Sequence, residues 1–134
     1  MAINRRSLVT LALAGVAMLA AQGCGDSNSP TAPPPSTGGG SGATITITAT
    51  GVSPSSVTIL AGQQVTFVNT SQQAMAVTSD PHPTHTDCPS INSVGTLQPG
   101  QTRLTANFTS ARSCGFHDHD QPDDGSRRGT IAIQ

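Results

Sequence analysis

From Thr44 to the end of the chain, apolar residues alternate with polar ones in short runs. Ile45 and Ile47 alternate with threonines, and Val65 and Phe67 repeat the pattern further along. Successive side chains of an extended strand point to opposite faces, so this period of two predicts strands with one buried face. None of these runs shows a convincing helical period. About seven or eight such strands, separated by turn residues, predict an all-β fold of the β-sandwich class.

The N-terminal segment differs in character from the rest of the chain. Arg5 and Arg6 precede an apolar run over residues 8–21, which is shorter than the about 20 strongly apolar residues of a membrane span. The sequence Ala-Gln-Gly-Cys that ends at Cys24 resembles a bacterial lipoprotein signal. It predicts removal of residues 1–23 and lipid attachment to Cys24, which would anchor the exported protein in the bacterial cell envelope, on the periplasmic or the outer side. An ordinary secretory signal and a twin-arginine signal are the alternatives.

Composition bounds the remainder of the chain. Residues 24–43 are rich in Ser, Pro, Thr and Gly, which predicts a tether, and residues 44–134 form the predicted domain. The formal net charge of -1 gives no electrostatic footprint for nucleic acid. The sequence shows neither a nucleophile with an assigned base nor a phosphate-binding Gly loop, so we expect no catalysis. We also expect a monomer.

The chain has three cysteines, of which Cys24 would carry the lipid. Two thiols in an oxidising compartment usually pair, so Cys88 and Cys114 predict a disulfide. Closing a loop of this length would stabilise a small core by about 3–4 kcal/mol. The alternative is that Cys114 ligates copper as a thiolate.

The four histidines form two clusters, His82 with His85 and His117 with His119. Neutral imidazole is the commonest transition-metal ligand, and two pairs from separate segments are what a site between two loops needs. On an extended segment His117 and His119 point to one side and Asp118 to the other. We therefore predict a metal centre of four imidazoles, with copper favoured and zinc as the tetrahedral alternative. The aspartates that could orient the ring N–H groups are Asp80, Asp87, Asp118 and Asp120.

Several motifs follow one another in a characteristic order along the predicted domain. They are Thr46-Ile47-Thr48, Gly51-Val52-Ser53-Pro54, Val65-Thr66-Phe67-Val68-Asn69, Leu97-Gln98-Pro99-Gly100 and Gly129-Thr130-Ile131-Ala132-Ile133. Their order and spacing resemble the cupredoxin family, the blue-copper proteins that include plastocyanin and azurin. The resemblance covers residues 44–134 and implies a Greek-key β-sandwich with a copper site.

The ligand positions depart from the family's blue-copper pattern. Met75 stands where the family has its first His ligand. If Phe116 takes the family's aromatic position, Asp118 stands where the ligand Cys is expected; in the other register, Cys114 and His117 have the family's C-x-x-H spacing. The resemblance thus makes Met75, Asp118 and Cys114 possible additional ligands, although a core position explains Met75 more readily.

These observations support three interpretations of function. The leading one is an envelope-anchored lipoprotein that holds or delivers copper through its His cluster, in exchange with a copper donor or acceptor protein. The second is a type 1 copper electron-transfer protein that uses Cys114 and His117 as ligands and serves a redox partner. The third is a metal-free sandwich that acts as an interaction module.

Overall fold

The structure, a computed structural model, describes residues 40–134. The predicted signal peptide, the lipid attachment at Cys24 and the predicted tether up to residue 39 lie outside the described residues. Within residues 40–134 no helix is long and apolar enough to cross a membrane. The strands are β1 (Ser41–Thr48), β2 (Gly51–Ser53), β3 (Ser56–Ile59), β4 (Gln64–Asn69), β5 (Met75–Ser79), β6 (Gly95–Leu97), β7 (Thr102–Leu104), β8 (Arg112–Asp118) and β9 (Arg128–Ile133). A one-turn helix, α1 (Pro89–Asn92), and a 3-10 turn at Gly125–Arg127 complete the elements of this part.

The strands form two mixed sheets, which confirms the predicted all-β sandwich. One sheet has the order β2-β1-β4-β7 and the other the order β3-β9-β8-β5-β6. Two pairs are parallel, β1 with β4 and β3 with β9, and the remaining pairs are antiparallel. In the five-stranded sheet β5 and β8 are neighbours, although they are far apart in the sequence.

The strand bounds differ from the sequence prediction at two places. Gly51 and Pro54 predict a turn over residues 51–55, but Gly51–Ser53 forms β2 and pairs with the end of β1. The apolar alternation from Leu104 to Phe108 predicts a longer strand, but β7 ends at Leu104. Thr105 follows with its hydroxyl Oγ1 accepting a hydrogen bond from the N–H of Val65 at 3.0 Å. The Thr105 hydroxyl thus takes the place of a backbone carbonyl as the acceptor for Val65, and the regular pairing of β7 with β4 ends there.

The hydrophobic core lies between the two sheets. Phe67 on β4 and Phe116 on β8 meet edge to face, with ring centroids 5.2 Å apart, so two of the three core phenylalanines join the sheets. Aliphatic residues fill the remaining volume, as the shortage of aromatic residues requires. The other buried apolar residues are Ile45, Ile47, Ile59, Val65, Met75, Val77, Cys88, Ile91, Val94, Leu97, Phe108, Cys114, Ile131 and Ile133.

Strand β8 presents different chemistry on its two faces. Cys114 and Phe116 face the core, and Asp118 shares their side because side chains alternate along a strand. Gly115 and His117 therefore lie on the outer face of the five-stranded sheet. This outer face, rather than the core between the sheets, carries the histidines described below.

A disulfide joins Cys88 to Cys114, with the two Cα atoms 5.9 Å apart, as predicted from the cysteine count. Cys88 follows His85 by three positions, and Cys114 precedes His117 by three positions. The bridge therefore ties together the two segments that contain the histidine clusters.

Candidate metal centre

Three histidines from two segments converge on the outer face of the five-stranded sheet. His82 and His85 lie in the connection that follows β5, which we call the metal loop (residues 80–87), and His117 lies on β8. One ligand nitrogen from each of the three imidazoles lies within 4.8 Å of the other two. The two segments that contain the histidine clusters therefore lie next to each other, and these three rings are close in space.

The spacing of these nitrogens suits a single transition-metal ion. A metal bound at about 2.0–2.1 Å holds its nitrogen ligands about 3.3–4.2 Å apart, depending on the bond angle. The nitrogens of the triad lie within 4.8 Å of one another, so rotation of the imidazoles that brings them closer by at most about 1.5 Å would give this spacing. The exposure of the rings is graded, because His82 is exposed, His85 is half-buried and His117 is buried. The site therefore has a fixed inner side and an open outer side.

His117 is oriented by a carboxylate of the metal loop. Its Nδ1 lies 2.7 Å from Oδ1 of Asp80, and its Nε2 lies 3.4 Å from the hydroxyl of Thr78 on β5. When Nδ1–H donates to Asp80, the lone pair on Nε2 is left for a metal, which is the usual carboxylate–histidine–metal arrangement. Of the four aspartates predicted as candidates, Asp80 is the one that contacts a triad histidine in this way.

Gly115 provides the space that Asp80 occupies. A Cβ atom at Gly115 would overlap the Asp80 carboxylate, so no other residue fits here without displacing it. Asp80 also donates its backbone N–H to the carbonyl of Gly115, at 3.1 Å, which extends the pairing of β5 with β8 by one residue. The side chain and backbone of Asp80 are therefore both fixed relative to His117. Sequence reasoning did not identify Gly115, although its position two residues before a histidine was visible.

The backbone of His85 is held by several hydrogen bonds despite its left-handed conformation, with φ 51°. Its N–H donates to the carbonyl of Pro81 at 2.8 Å. Its carbonyl accepts from the hydroxyl of Ser79 at 2.9 Å and from the amide of Asn92 at 2.8 Å. These contacts stabilise a conformation that a non-glycine residue seldom adopts. Asn92 was not anticipated from sequence, because a polar residue on a short helix carries no ligand signature.

Burial lowers the pKa of His85 below its ordinary value of 6.5, and the charges that His119, His117 and His82 carry when protonated lower it further. Asp80 opposes this effect. A proton on His85 would place a positive charge beside imidazoles that can also carry one, which disfavours its protonation. His85 is thus neutral near pH 7, which is the form that binds a metal.

His119 lies beside the triad rather than within it. It follows the end of β8, is exposed, and donates its backbone N–H to the carbonyl of Ala76 at 2.8 Å. Its Nδ1 lies 3.3 Å from Nε2 of His85, and its ring centroid lies 4.9 Å from that of His85 and 5.2 Å from that of His82. The fourth predicted ligand is therefore adjacent to His82 and His85 on the open side.

The possible additional ligands suggested by the family pattern lie on the opposite face of the sheet. Met75 is fully buried in the core, and Cys114 is bonded to Cys88. Asp118 is also buried, and its Oδ2 accepts a hydrogen bond from Arg127 at 2.8 Å. The core-facing side of the sheet thus holds a disulfide and an ion pair, and the imidazoles are grouped on the outside.

The buried ion pair has further partners at the same end of the sandwich. Oδ1 of Asp118 accepts from the backbone N–H groups of Ala76 at 3.1 Å and Asp120 at 3.2 Å. Arg127 donates its second amino group to the side-chain oxygen of Gln73 at 2.7 Å. Because both oxygens of Asp118 are engaged in this way, its carboxylate is structural. Sequence reasoning missed Arg127, since nothing local connects it with Asp118.

Solved structures with similar folds identify the architecture. A purple cupredoxin from Nitrosopumilus maritimus matches with TM-score 0.53 and 17% identity over 69% of this chain and 99% of that one. Plastocyanin from Dryopteris crassirhizoma matches with TM-score 0.53 and 14% identity, over 68% of this chain and 99% of that chain. A mutant amicyanin in the Cu(I) state matches with TM-score 0.51 and 15% identity, over 69% of this chain and 82% of that chain. The chain has the cupredoxin fold. No protein-family model and no curated protein sequence matches it.

The imidazoles of this cupredoxin fold lie on the outer side of β5 and β8, whereas the positions that the family pattern assigns to ligands lie on the inner side. The two positions that the family pattern assigns to ligands, Met75 and Asp118, lie together at the inner side of β5 and β8. They hold a core methionine and a carboxylate paired with Arg127. His82, His85 and His117 lie on the other side of the same two strands. The chain thus has the cupredoxin fold, and its cluster of imidazoles lies on the face opposite Met75 and Asp118.

Proposed function

We propose that this protein holds and delivers a transition-metal ion, with copper as the favoured cargo, through the triad of His82, His85 and His117. The observation that carries the proposal is the mutual approach of three ligand nitrogens, from two separate segments, to within 4.8 Å. The ring of His117 is also buried and contacts Asp80, so its orientation is fixed before a metal binds. Chance clustering of surface histidines would not account for the Asp80 contact or for the space at Gly115.

The donor chemistry favours copper, with zinc as the second ion. Sites made of imidazoles alone bind both Cu(II) and zinc. Among the divalent first-row ions, Cu(II) usually binds nitrogen ligands most tightly. A neighbour in fold is a Cu(I) protein. Three protein ligands leave room for a fourth donor from His119, water or a partner, which suits an ion that must be passed on.

Holding and delivery agree with the site better than electron transfer at a type 1 centre. Such a centre requires a thiolate, but the sulfur of Cys114 is bonded to Cys88 and faces the core, whereas His117 points to the outer side. The triad also opens to solvent at His82. A closed electron-transfer site would shield its ion from exchange, while a delivery site needs access for a partner.

We further propose that the domain acts in the bacterial cell envelope as a monomer, anchored by lipid on Cys24. The supporting features are the lipoprotein-like signal and the tether composition of residues 24–43. A tether of this kind would let the domain reach a copper donor or acceptor protein near the membrane. Detection of lipid on Cys24 by mass spectrometry of the envelope fraction tests this part independently of metal binding.

Copper titration tests the central proposal. The exported chain with Cys24→Ser should bind one Cu(II) per molecule and show no intense blue thiolate band. The double variant His82→Ala/His85→Ala should lose this binding. The matched control Asp120→Asn/Asp123→Asn, which changes two exposed acidic residues nearby, should retain it. Retained stoichiometric binding in the histidine variant would overturn the proposal.

A metal-free interaction module makes a different prediction. Metal would then leave the melting temperature unchanged, whereas an ion bound by the folded state raises it by mass action. Thermal denaturation with excess Cu(II), and again after addition of a chelator, separates the two functions. An unchanged melting temperature under both conditions would favour the interaction module.

A further inference from the structure

The four imidazoles are arranged as two overlapping sets of three. Ring centroids of His82 and His85 lie 5.6 and 5.2 Å from that of His117, and 5.2 and 4.9 Å from that of His119. His82 and His85 thus belong to both sets, while His117 completes one set and His119 the other. The first set faces the sheet and the second faces solvent.

We propose that the domain has two metal positions that share His82 and His85, an inner one completed by His117 and an outer one completed by His119, and that copper moves between them. This inference rests on the proposed function and specifies how the cargo enters and leaves. The outer position uses His119, which lies beside the inner triad on its solvent side. The ligand it would take is a bare copper ion or one offered by a partner's donor group.

The separation between His85 and His119 supports the outer position. Their facing nitrogens, Nε2 and Nδ1, are 3.3 Å apart. Two nitrogens bound to one tetrahedral ion have about this separation, given metal–nitrogen distances of about 2.0–2.1 Å. An ion arriving from solvent would therefore meet this pair already at ligand spacing, before it contacts the buried ring.

His117 and His119, which each belong to one set only, are held with different firmness, as transfer between two positions requires. His117 is buried and its Nδ1 contacts Asp80 at 2.7 Å, so its orientation is fixed. Among residues 40–134, the ring of His119 has a single hydrogen-bond partner, which is His85 itself. Its exposed side chain can change rotamer at little energetic expense. The inner position should accordingly bind more tightly and the outer one exchange faster.

Transfer between the positions is a ligand exchange that balances without a co-reactant. The bond from copper to the imidazole nitrogen of His119 breaks as a bond to Nε2 of His117 forms, while both bonds to the shared imidazoles persist. No electron is transferred and the oxidation state of copper stays the same. Each imidazole nitrogen joins or leaves copper with its lone pair, so the exchange itself moves no proton. Unloading runs in reverse, with a partner's donor finally replacing the outer imidazole.

The variant His119→Ala provides the test, because this side chain is exposed and its removal leaves the buried elements intact. We expect its equilibrium affinity for Cu(II) to stay within about threefold of the unaltered protein, since the inner set is complete. We expect copper removal by excess EDTA, followed by stopped-flow absorbance, to be at least about tenfold slower, because the exit route has lost its ligand. The control Asp120→Asn, at the next exposed position, should change neither quantity.

Three outcomes distinguish the inference from its alternatives. An affinity loss in His119→Ala as large as that in His117→Ala would show one four-histidine site and overturn the two-position arrangement. An unchanged exchange rate would show that His119 plays no part in transfer and would also overturn it. Failure of the unaltered protein to bind copper would instead overturn the proposed function. If His117→Ala does not fold, the affinity and exchange rate of His119→Ala still decide the matter.

Discussion

Removal of the Cys88–Cys114 bridge should destabilise the domain strongly. The perturbation is the double variant Cys88→Ala/Cys114→Ala in a Cys24→Ser background, which leaves no thiol to form another disulfide. The bridge spans a sequence separation of 26. The chain-entropy relation for a loop of that length gives about 3.5 kcal/mol at 25 °C, because the open unfolded chain gains conformations that the bridge had excluded.

The same loss can be expressed as a change in melting temperature. For a domain of this size, each kcal/mol corresponds to about 4–8 °C, so the variant should melt about 14–28 °C lower. Both cysteines are buried, and truncating them to alanine removes sulfur contacts in addition, which makes the entropy figure a lower limit. Because Cys88 lies just beyond the metal loop, the variant should also bind copper more weakly.

Urea and thermal denaturation measure the effect, with the Cys24→Ser single variant as the reference. Addition of reductant to the reference protein should lower its stability by the entropic part of this loss alone, because the two thiols keep their buried sulfur atoms. A fall in unfolding free energy below about 1 kcal/mol, with an unchanged denaturant slope, would refute the reasoning. It would mean that the unfolded chain is already as restricted without the bridge as with it.

Three further predictions concern side chains of the site and the pair behind it. Asp80→Asn should weaken copper binding about 10–100-fold by titration, because the ring of His117 loses its carboxylate partner, whereas Asp87→Asn should have little effect. Arg127→Met should lower the unfolding free energy by about 3–5 kcal/mol in urea, because it leaves the carboxylate of Asp118 buried without its partner. The metal-free protein should lose stability as pH falls below about 6.5, because the lowered pKa of His85 means that the unfolded chain binds the proton more readily.

Each of these predictions has a result that would contradict it. Equal copper affinities of the two aspartate variants would remove the positioning role of Asp80. Wild-type stability of the arginine variant would show that the buried carboxylate finds another partner or a proton. For the pH prediction, the measurement is urea denaturation between pH 5 and 8 with and without His85→Gln, and identical slopes in the two proteins would contradict the assignment to His85.

Most strands could be predicted from the sequence, because alternation is local information, whereas β2 and the early end of β7 could not. Alternation at Ile45 and Ile47 marks a buried face without knowledge of the partner strand. The two histidine clusters predicted that their segments approach one another, and ligand nitrogens of three of the residues lie within 4.8 Å of one another. The position of His119 depends on where β8 ends, and the pairing of β8 with β5 determines that end. The face of the sheet on which the site lies was not predicted; in the structure Phe116 faces the core, so His117 lies on the outer face.

The polar contacts that prepare the site were beyond sequence reasoning. The pairing of Asp80 with His117 joins positions 37 residues apart, and it becomes visible only when β5 and β8 are adjacent. The family resemblance also directed attention to Met75 and Asp118, because it assumes that ligand positions are retained. Arg127 fills the neighbouring space with a charged partner, and such a replacement leaves no local signature.

Placement of the imidazoles on the outer face of a sheet separates the chemistry of this protein from its structural integrity. The inward-facing side chains of the same strands supply cohesion, so a change in donor atoms outside need not disturb packing inside. If the site binds a metal as proposed, changes at the exposed positions 82 and 119 could alter ion preference and exchange speed without altering the core. A cofactor held at the centre of a sandwich lacks this freedom, because every alteration of its ligands also alters the interior that keeps the molecule folded.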